Sequence, residues 1–307
     1  MRTELISLGL EFDERVTSRP GEATEITREA LMNGVTRVIA VGGDGTLSEV
    51  INGYINDDGH AINEGAAVGI VPSGTGSDFC RSLGLSSRSE AIAGLTGSST
   101  RMIDAVRIAY SGRDGASDSR TFINVASFGL GGDVSAFVNQ WRDSLPRWVG
   151  GRVRFVAAAV RALEQYRNND VKVRLDDDRD FEIISNLIVV ANGRFGGAGM
   201  KLAPHAEMDD GLLDVILTDR ATRLDVIREL RRIRRGGYLN NPKVSELRAR
   251  QVSITASQPM AIDIDGEMAG YTPAYLTALP RAVRFLTGQQ AVSSNVIGNC
   301  DAAPTGP

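Results

Sequence analysis

The stretch Val38-Ile-Ala-Val-Gly-Gly-Asp-Gly-Thr-Leu-Ser-Glu-Val-Ile-Asn52 decides the fold. Residues 38–41 are a short apolar run, residues 42–46 a glycine turn, and residues 47–52 the pattern of an opening helix. Thr46 and Glu49 have the spacing of a capping box. A buried strand running through glycines into a helix gathers backbone N–H groups and a helix N-terminus above the strand, which suits phosphate. The one carboxylate of the turn, Asp44, would repel that phosphate unless a cation lay between them. Mg²⁺, with hard oxygen ligands and retained waters, resolves the conflict. On these residues alone, a plain strand-to-helix connection with a capping Asp or Thr is an equal alternative.

Working outward, residues 1–10 read as the end of a helix and residues 11–17 as a strand. Residues 22–33 read as a helix that places Ala23, Ile26, Ala30 and Leu31 on one face and stops at Asn33-Gly34. Residues 35–41 form the next strand, and the helix after the glycine turn runs to about residue 54. Residues 67–71 are another buried strand, leading into Pro72-Ser-Gly-Thr-Gly-Ser-Asp-Phe-Cys-Arg-Ser-Leu-Gly84, a second glycine- and hydroxyl-rich turn with its own acid, Asp78. Alternating strands and helices predict a parallel sheet with both turns on one edge, where open α/β folds place ligands.

The texture changes after Arg101. Residues 104–110, 120–125, 171–175, 181–192, 212–217, 252–256 and 260–264 are strand-like with little helix between them, which predicts an antiparallel second domain, a β-sandwich. Helical stretches at 134–167, broken near Pro146 and Gly150-Gly151, and at 223–235 interrupt it. Residues 274–286 read as a final strand pair that closes this domain and returns to the first. The expected division is an α/β nucleotide-binding domain at 1–102 with a return at about 277–287, a β-sandwich at 103–276, and a disordered tail at 288–307.

The chain of 307 residues is 42% hydrophobic and 23% charged, ordinary for a soluble globular protein. A formal net charge of −4 argues against general nucleic-acid binding. Cys80 and Cys300 are far apart and indicate no disulfide framework, and His60 and His205 have no partner at metal-ligand spacing. Nothing resembles a secretory signal, and no run of eighteen apolar residues occurs, so membrane contact is expected to be peripheral.

Several blocks in order resemble the diacylglycerol kinase family of lipid kinases, the bacterial relatives of eukaryotic diacylglycerol and sphingosine kinases. They are Gly42-Gly43-Asp44-Gly45-Thr46 with Glu49 and Asn52, the block 72–84, Asn124-Val-Ala-Ser-Phe-Gly-Leu-Gly-Gly-Asp133, Ala191-Asn-Gly-Arg-Phe-Gly-Gly-Ala-Gly199, Met208-Asp-Asp-Gly-Leu-Leu-Asp214 and Ile264-Asp-Gly-Glu267. The glycine-aspartate turn alone is shared with NAD kinases; the later blocks favour the lipid kinases.

The resemblance implies a nucleotide-binding α/β domain followed by a β-sandwich, with ATP and Mg²⁺ in the cleft between them. It implies that Asp44, Asp78 and Asp133 hold the nucleotide-associated Mg²⁺ largely through water. Gly42, Gly43, Gly45, Thr46, Ser73, Gly74 and Thr75 would lie against phosphate, with Thr17 at a nucleotide-contacting position after the second strand. Glu267 matches the base that takes the lipid hydroxyl proton, and Asp210 with the Leu212 carbonyl matches a second, structural metal site. For the pair Asp209-Asp210 a simple turn is an even alternative, and for Asp265-Gly266-Glu267 the alternative is a charged hairpin turn.

Two departures stand out. The resemblance implies an opening strand bearing an asparagine-proline and a glycine-rich turn, and the given sequence is expected to start within the helix that follows it, exposing a sheet edge. Ser77 replaces the usual Asn. The predicted activity is ATP-dependent phosphorylation of a membrane-lipid hydroxyl by a cytoplasmic protein peripheral to the inner face of the membrane. A soluble-substrate kinase like the NAD kinases and a non-catalytic nucleotide- or lipid-binding protein are the alternatives. The arginines at 228, 231, 232, 234 and 235 suit anionic headgroups or a solvated helix, and the apolar part of 153–163 suits a lipid pocket or a core helix. Which lipid is phosphorylated, and whether the chain forms a homodimer, stay open.

Overall fold

A computed structural model describes residues 6, 9, 11–73, 78–85, 88–97, 99–142, 151–176, 178–230, 232–233 and 236–287. The expected helix end at 1–10, the break near Pro146 and the tail at 288–307 lie wholly or mainly outside these residues.

The first half contains helix α1 (Glu22–Met32), strand β1 (Arg37–Gly42), helix α2 (Asp44–Tyr54), strand β2 (Ala67–Pro72), and helices α3 (Asp78–Ser82) and α4 (Arg88–Thr96). β1 and β2 are parallel, with Val38 opposite Val68. β2 is buried on both faces: Val68 and Ile70 join the core under α1–α3, while Ala67 and Val71 pack with Ile92 and Leu95 of α4. That is why its sequence is an unbroken apolar run. The strand expected at 11–17 does not form. Residues 11–18 carry no ladder and are all exposed. Only Phe12 and Val16 are apolar side chains of any size there, too little to bury against a sheet. Among the described residues β1 pairs only with β2, and Val41 is exposed.

The second half contains β3 (Thr100–Gly112), β4 (Ser117–Phe122), β5 (Val125–Gly129), α5 (Leu130–Arg142), α6 (Gly151–Gln165), β6 (Asn169–Leu175), β7 (Arg179–Ser185), β8 (Leu187–Ala191), β9 (Leu213–Thr218), α7 (Arg223–Glu229), β10 (Val244–Ala249), β11 (Gln251–Ala256), β12 (Ala261–Ile264) and β13 (Glu267–Leu286). Strand order is β10-β9-β8-β5-β12-β13-β11-β6-β7, and each of these neighbours pairs antiparallel. The sheet wraps a core that includes Phe122, Phe128, Val173, Ile188, Val215, Ile254 and Leu276. An α/β half and an antiparallel β half are therefore both present, as the alternation of apolar residues predicts.

The expected final strand pair is instead one 20-residue strand. β13 runs antiparallel to β3 from Gly270 opposite Gly112 to Leu286 opposite Thr100, and its far end lies parallel to β2 at Phe285 opposite Val68. A register shift between Leu279 and Val283 absorbs Pro280 and Arg281, the latter at φ 52°. The two faces of this ribbon feed different cores. Val106, Ile108 and Leu276 face the sandwich, whereas Ile103, Ala105, Val283 and Phe285 face the α/β half. The division expected between residues 102 and 103 thus falls inside β3, a strand common to both halves.

Candidate functional site

The C-terminal ends of β1 and β2 meet the hairpin joining β12 to β13. α2 begins at Asp44, two residues before the expected Thr46 cap; its N-cap is Gly43 and no side chain caps it. The first helical turn therefore presents backbone N–H groups with no intrahelical acceptor, and the dipole adds positive potential there. Glu49 does not close a capping box. It reaches back to α1, accepting from the N–H groups of Gly21 at 2.9 Å and Ala23 at 3.1 Å. One turn on, Asn52 clamps the backbone of Thr121 in β4, donating to its carbonyl at 2.8 Å and accepting its N–H at 2.9 Å.

Asp44 accepts the N–H groups of Asp78 (3.1 Å) and Phe79 (3.3 Å), capping α3 from the neighbouring strand end. Burial raises its pKa, with the nearby Asp78 charge adding to the rise. Asp78 is buried; Arg81 Nη1 donates to its Oδ1 at 2.6 Å and the Ala198 N–H to its Oδ2 at 2.8 Å. Ala198 belongs to the block 191–199, so this acid ties the first half to the second. Nearby, Asn124 Oδ1 lies 3.0 Å from the Ser82 hydroxyl, and its Nδ2 donates to the Phe195 carbonyl at 2.8 Å. A Cβ on Gly193 would stand 2.0 Å from Asn124 Oδ1, so only glycine permits this approach.

The β12–β13 hairpin turns through Asp265 (φ 49°) and Gly266 (φ 91°), the left-handed pair of a tight hairpin. It is a charged turn, and it delivers Glu267 to the start of α2: a Cβ on Gly45 would sit 3.2 Å from Glu267 Oε1. Glu267 is about half exposed and faces Arg120 Nη1 at 3.5 Å. Asp265 accepts the Val125 N–H at 3.0 Å, and burial lifts its pKa to about 7. Asp263 accepts from the Ser135 hydroxyl at 2.5 Å and is likewise pushed up to about 7 by burial. Sequence patterning did not single out Asp263, Ser135 or Arg120, whose partners lie more than a hundred residues away.

The diacylglycerol kinase catalytic domain matches residues 1–108, and the YegS C-terminal NAD kinase beta sandwich-like domain matches residues 124–287. A protein of Pseudomonas aeruginosa (strain UCBPP-PA14) named probable lipid kinase YegS-like is 30% identical over 259 residues, covering 84% of this chain and 79% of its own. The chain belongs to the diacylglycerol kinase family of lipid kinases. A diacylglycerol kinase of Staphylococcus carnosus (strain TM300) is 28% identical over 295 residues, covering 94% of this chain and 89% of its own. The fold matches the crystal structure of a diacylglycerol kinase from Bacillus anthracis str. Sterne, with a TM-score of 0.65 at 20% identity over 92% of this chain and 88% of that one.

Of the residues that the family resemblance singled out, Gly42, Gly43, Asp44, Gly45, Thr46, Ser73, Asp78 and Glu267 lie on the strand ends, helix starts and hairpin just described. Gly74 and Thr75 lie outside the described residues, as does Ser77. Thr17 lies on the exposed segment that forms no strand, so the premise that placed it after a strand is not met. Asp133 sits in the first turn of α5 with its pKa raised by burial to about 6. Asp210 does not face an open site: its Oδ1 accepts the Leu212 N–H at 2.9 Å and its Oδ2 lies 3.4 Å from Arg248 Nη1. His205 pairs with Glu246 at 2.6 Å, and Cys80 is a buried thiol raised to about 11 by burial.

Among the described residues no three acids, histidines or cysteines converge as direct ligands of a metal ion. Asp44 and Asp78 are nonetheless adjacent hard oxygen donors whose four oxygens already accept protein hydrogens. Such a pair fits a hydrated Mg²⁺, gripped through its waters by the remaining lone pairs, better than a dehydrated ion.

Proposed function

We propose that this chain transfers the γ-phosphoryl group of ATP to a hydroxyl of a membrane lipid, with Mg²⁺ associated with the nucleotide. The observation that carries the reading is Glu267 Oε1 beside Gly45: a carboxylate of the sandwich half stands over the uncapped helix start of the α/β half. The uncapped N–H groups of α2 would bind phosphate oxygens, and Asp44 and Asp78 would hold the hydrated cation, which when bound would offset charge on the transferring group. Glu267 accepts the proton of the lipid hydroxyl. The alcohol oxygen forms a bond to the γ-phosphorus as the bond from phosphorus to the β–γ bridging oxygen breaks, and ADP leaves. The half-exposed position of Glu267 suits proton release to water afterwards.

The lipid is reached from the membrane surface. On α6, Val153, Val156 and Val160 form an exposed stripe; Leu224 and Ile227 on α7 and Leu230 just after it are exposed as well. Val226 packs against the cluster between α5 and α6, so the two helices adjoin. Arg223 and Arg228 on α7 favour anionic headgroups, although Arg231, Arg234 and Arg235 lie outside the described residues. No helix among the described residues is long and apolar enough to cross a membrane.

The test is a lipid-panel assay with purified protein, mixed micelles and labelled ATP. A labelled phospholipid product is expected from wild type, and loss of product in Glu267→Ala. Product formation dependent on NAD but not on lipid, or nucleotide binding without turnover, would sink the reading.

A further inference from the structure

We infer that Arg248 is the resident cation of the turn at residues 208–214. A guanidinium holds this segment where the family resemblance implied a divalent metal. Arg248 stands directly opposite Asp214 in the register of β10 against β9. Its Nε lies 3.2 Å from Asp214 Oδ1 and its Nη1 3.4 Å from Asp210 Oδ2, while Nη2 donates to the His205 carbonyl at 2.9 Å. One planar fork therefore bridges two carboxylates and a main-chain oxygen, a donor set that a point cation would otherwise collect.

The surroundings hold more carboxylates than cations, and Arg248 is the guanidinium that meets two of them. Asp214 is fully buried, and its Oδ2 has no partner in the protein. Glu246 lies nearby, with one oxygen on His205 Nδ1 at 2.6 Å and the other unpartnered. A divalent ion placed on Asp210 would face Arg248 across Oδ2 and be repelled, while Oδ1 already accepts the Leu212 N–H.

The turn so held is tied onward. The Gly211 N–H donates to Asp104 Oδ2 at 2.6 Å, and Asp104 Oδ1 accepts the Arg281 N–H, also at 2.6 Å, at the register shift of β13. Arg248 thus fastens the 208–214 turn, and Asp104 fastens that turn to the strand common to both halves. The consequence is a fold whose stability, without nucleotide, is indifferent to divalent ions at this place.

Thermal unfolding of nucleotide-free protein in EDTA and in CaCl₂ tests this, because Ca²⁺ takes carboxylate and carbonyl oxygens with flexible geometry. Wild-type Tm is expected to move by less than about 1 °C between the two conditions, below the ~2 °C that one kcal/mol produces in a chain of this size. Arg248→Met leaves two acids without their cation, and its Tm is expected to fall by about 5–10 °C in EDTA. Ca²⁺ is expected to recover at least half of that fall saturably, and adding Asp210→Asn to Arg248→Met to abolish the recovery. An unchanged Tm in Arg248→Met would overturn the inference, as would a fall that Ca²⁺ leaves untouched. So would a saturable Ca²⁺ response of wild type that Asp210→Asn removes. If Arg248→Met yields no soluble protein, Arg248→Lys serves in the same scan: a lower, Ca²⁺-responsive Tm is expected, and a wild-type Tm would refute the role of the fork.

Discussion

Two groups of buried and half-buried carboxylates exist in this molecule, and they are balanced in opposite ways. Around the start of α2 and the β12–β13 hairpin, Asp44 and Asp265 are satisfied by backbone N–H groups and Asp263 by the Ser135 hydroxyl. Only Asp78 has a close guanidinium, and Arg120 stays 3.5 Å from Glu267. Around the 208–214 turn, Arg248 meets Asp210 and Asp214 directly. Dipoles satisfy lone pairs without cancelling charge, whereas a guanidinium cancels it. The first group has no direct cation apart from Arg81 on Asp78, which is where the proposed Mg²⁺ and nucleotide would act; the second has a guanidinium of its own, although Asp214 Oδ2 and one oxygen of Glu246 stay unpartnered.

Changes that break the contrast have their largest effect in the first group. Glu267→Gln keeps size and removes the base, so kcat for lipid phosphorylation is expected to fall about 10³-fold, within the usual range for a general base; ATP binding by equilibrium dialysis should persist. Asp44→Asn halves the carboxylate pair that would hold hydrated Mg²⁺. About a 10²-fold loss of activity is expected, on the order of an electrostatic contact to the transferring phosphoryl group, with a raised Mg²⁺ requirement in a titration of rate against metal.

A pH scan without nucleotide sharpens the comparison. Asp263 and Asp265 rise to about 7, and Asp133 and Asp214 to about 6, chiefly through burial. Carboxyls raised in the folded state bind protons more tightly there than in the unfolded chain, whose aspartates titrate near ~3.9. Their contribution is therefore fully present below about pH 4 and lost as pH climbs through 6 to 7. Chemical-denaturation midpoints are expected to drop over that window, and Asp263→Asn to flatten the drop; an equally steep profile in the variant would reject the assignment. Asp225 runs the other way: Lys243 and Thr222 hold it well below the usual carboxylate range. Smallest is Glu49→Ala, which removes the cap on α1 and is expected to cost about 1 kcal/mol, a Tm shift of ~2–4 °C. Activity above a tenth of wild type at low temperature would confirm that its role is structural.

The sequence made the local structure legible and the long-range partners illegible. Apolar runs such as 67–71 identified strands because burial on both faces demands them. Gly-Gly-Asp-Gly identified the strand-to-helix corner; of its glycines Gly42 leaves no room for a Cβ against the Thr46 side chain, whereas Gly43 has open space. Thr46 and Glu49 had the spacing of a cap, but Glu49 is drawn to Gly21 and Ala23, a partnership set by how α1 lies on α2. Residues 181–192 read as one strand, yet they form β7 and β8 on either side of buried Asn186. The helical pattern at 223–235 gives α7 at Arg223–Glu229 in the described part, and no residue of that helix is fully buried, Val226 being partly buried against the α5–α6 cluster. In the candidate site, Asp44, Asp78 and Glu267 were found by motif, whereas the pairing of Arg248 with Asp214 depends on a strand register that no local pattern contains. The strand pair expected at 274–286 is one strand because the register shift between Leu279 and Val283 carries Pro280 and Arg281 within it.

β13 also imposes an order of events on synthesis. Phe285 lies beside Val68 although the two are more than two hundred residues apart in the chain. Both cores take side chains from this strand, so neither half is complete while residues 267–286 remain in the ribosome. Until then the edge of β2 away from β1 is unpaired, a site open to premature strand pairing over most of translation.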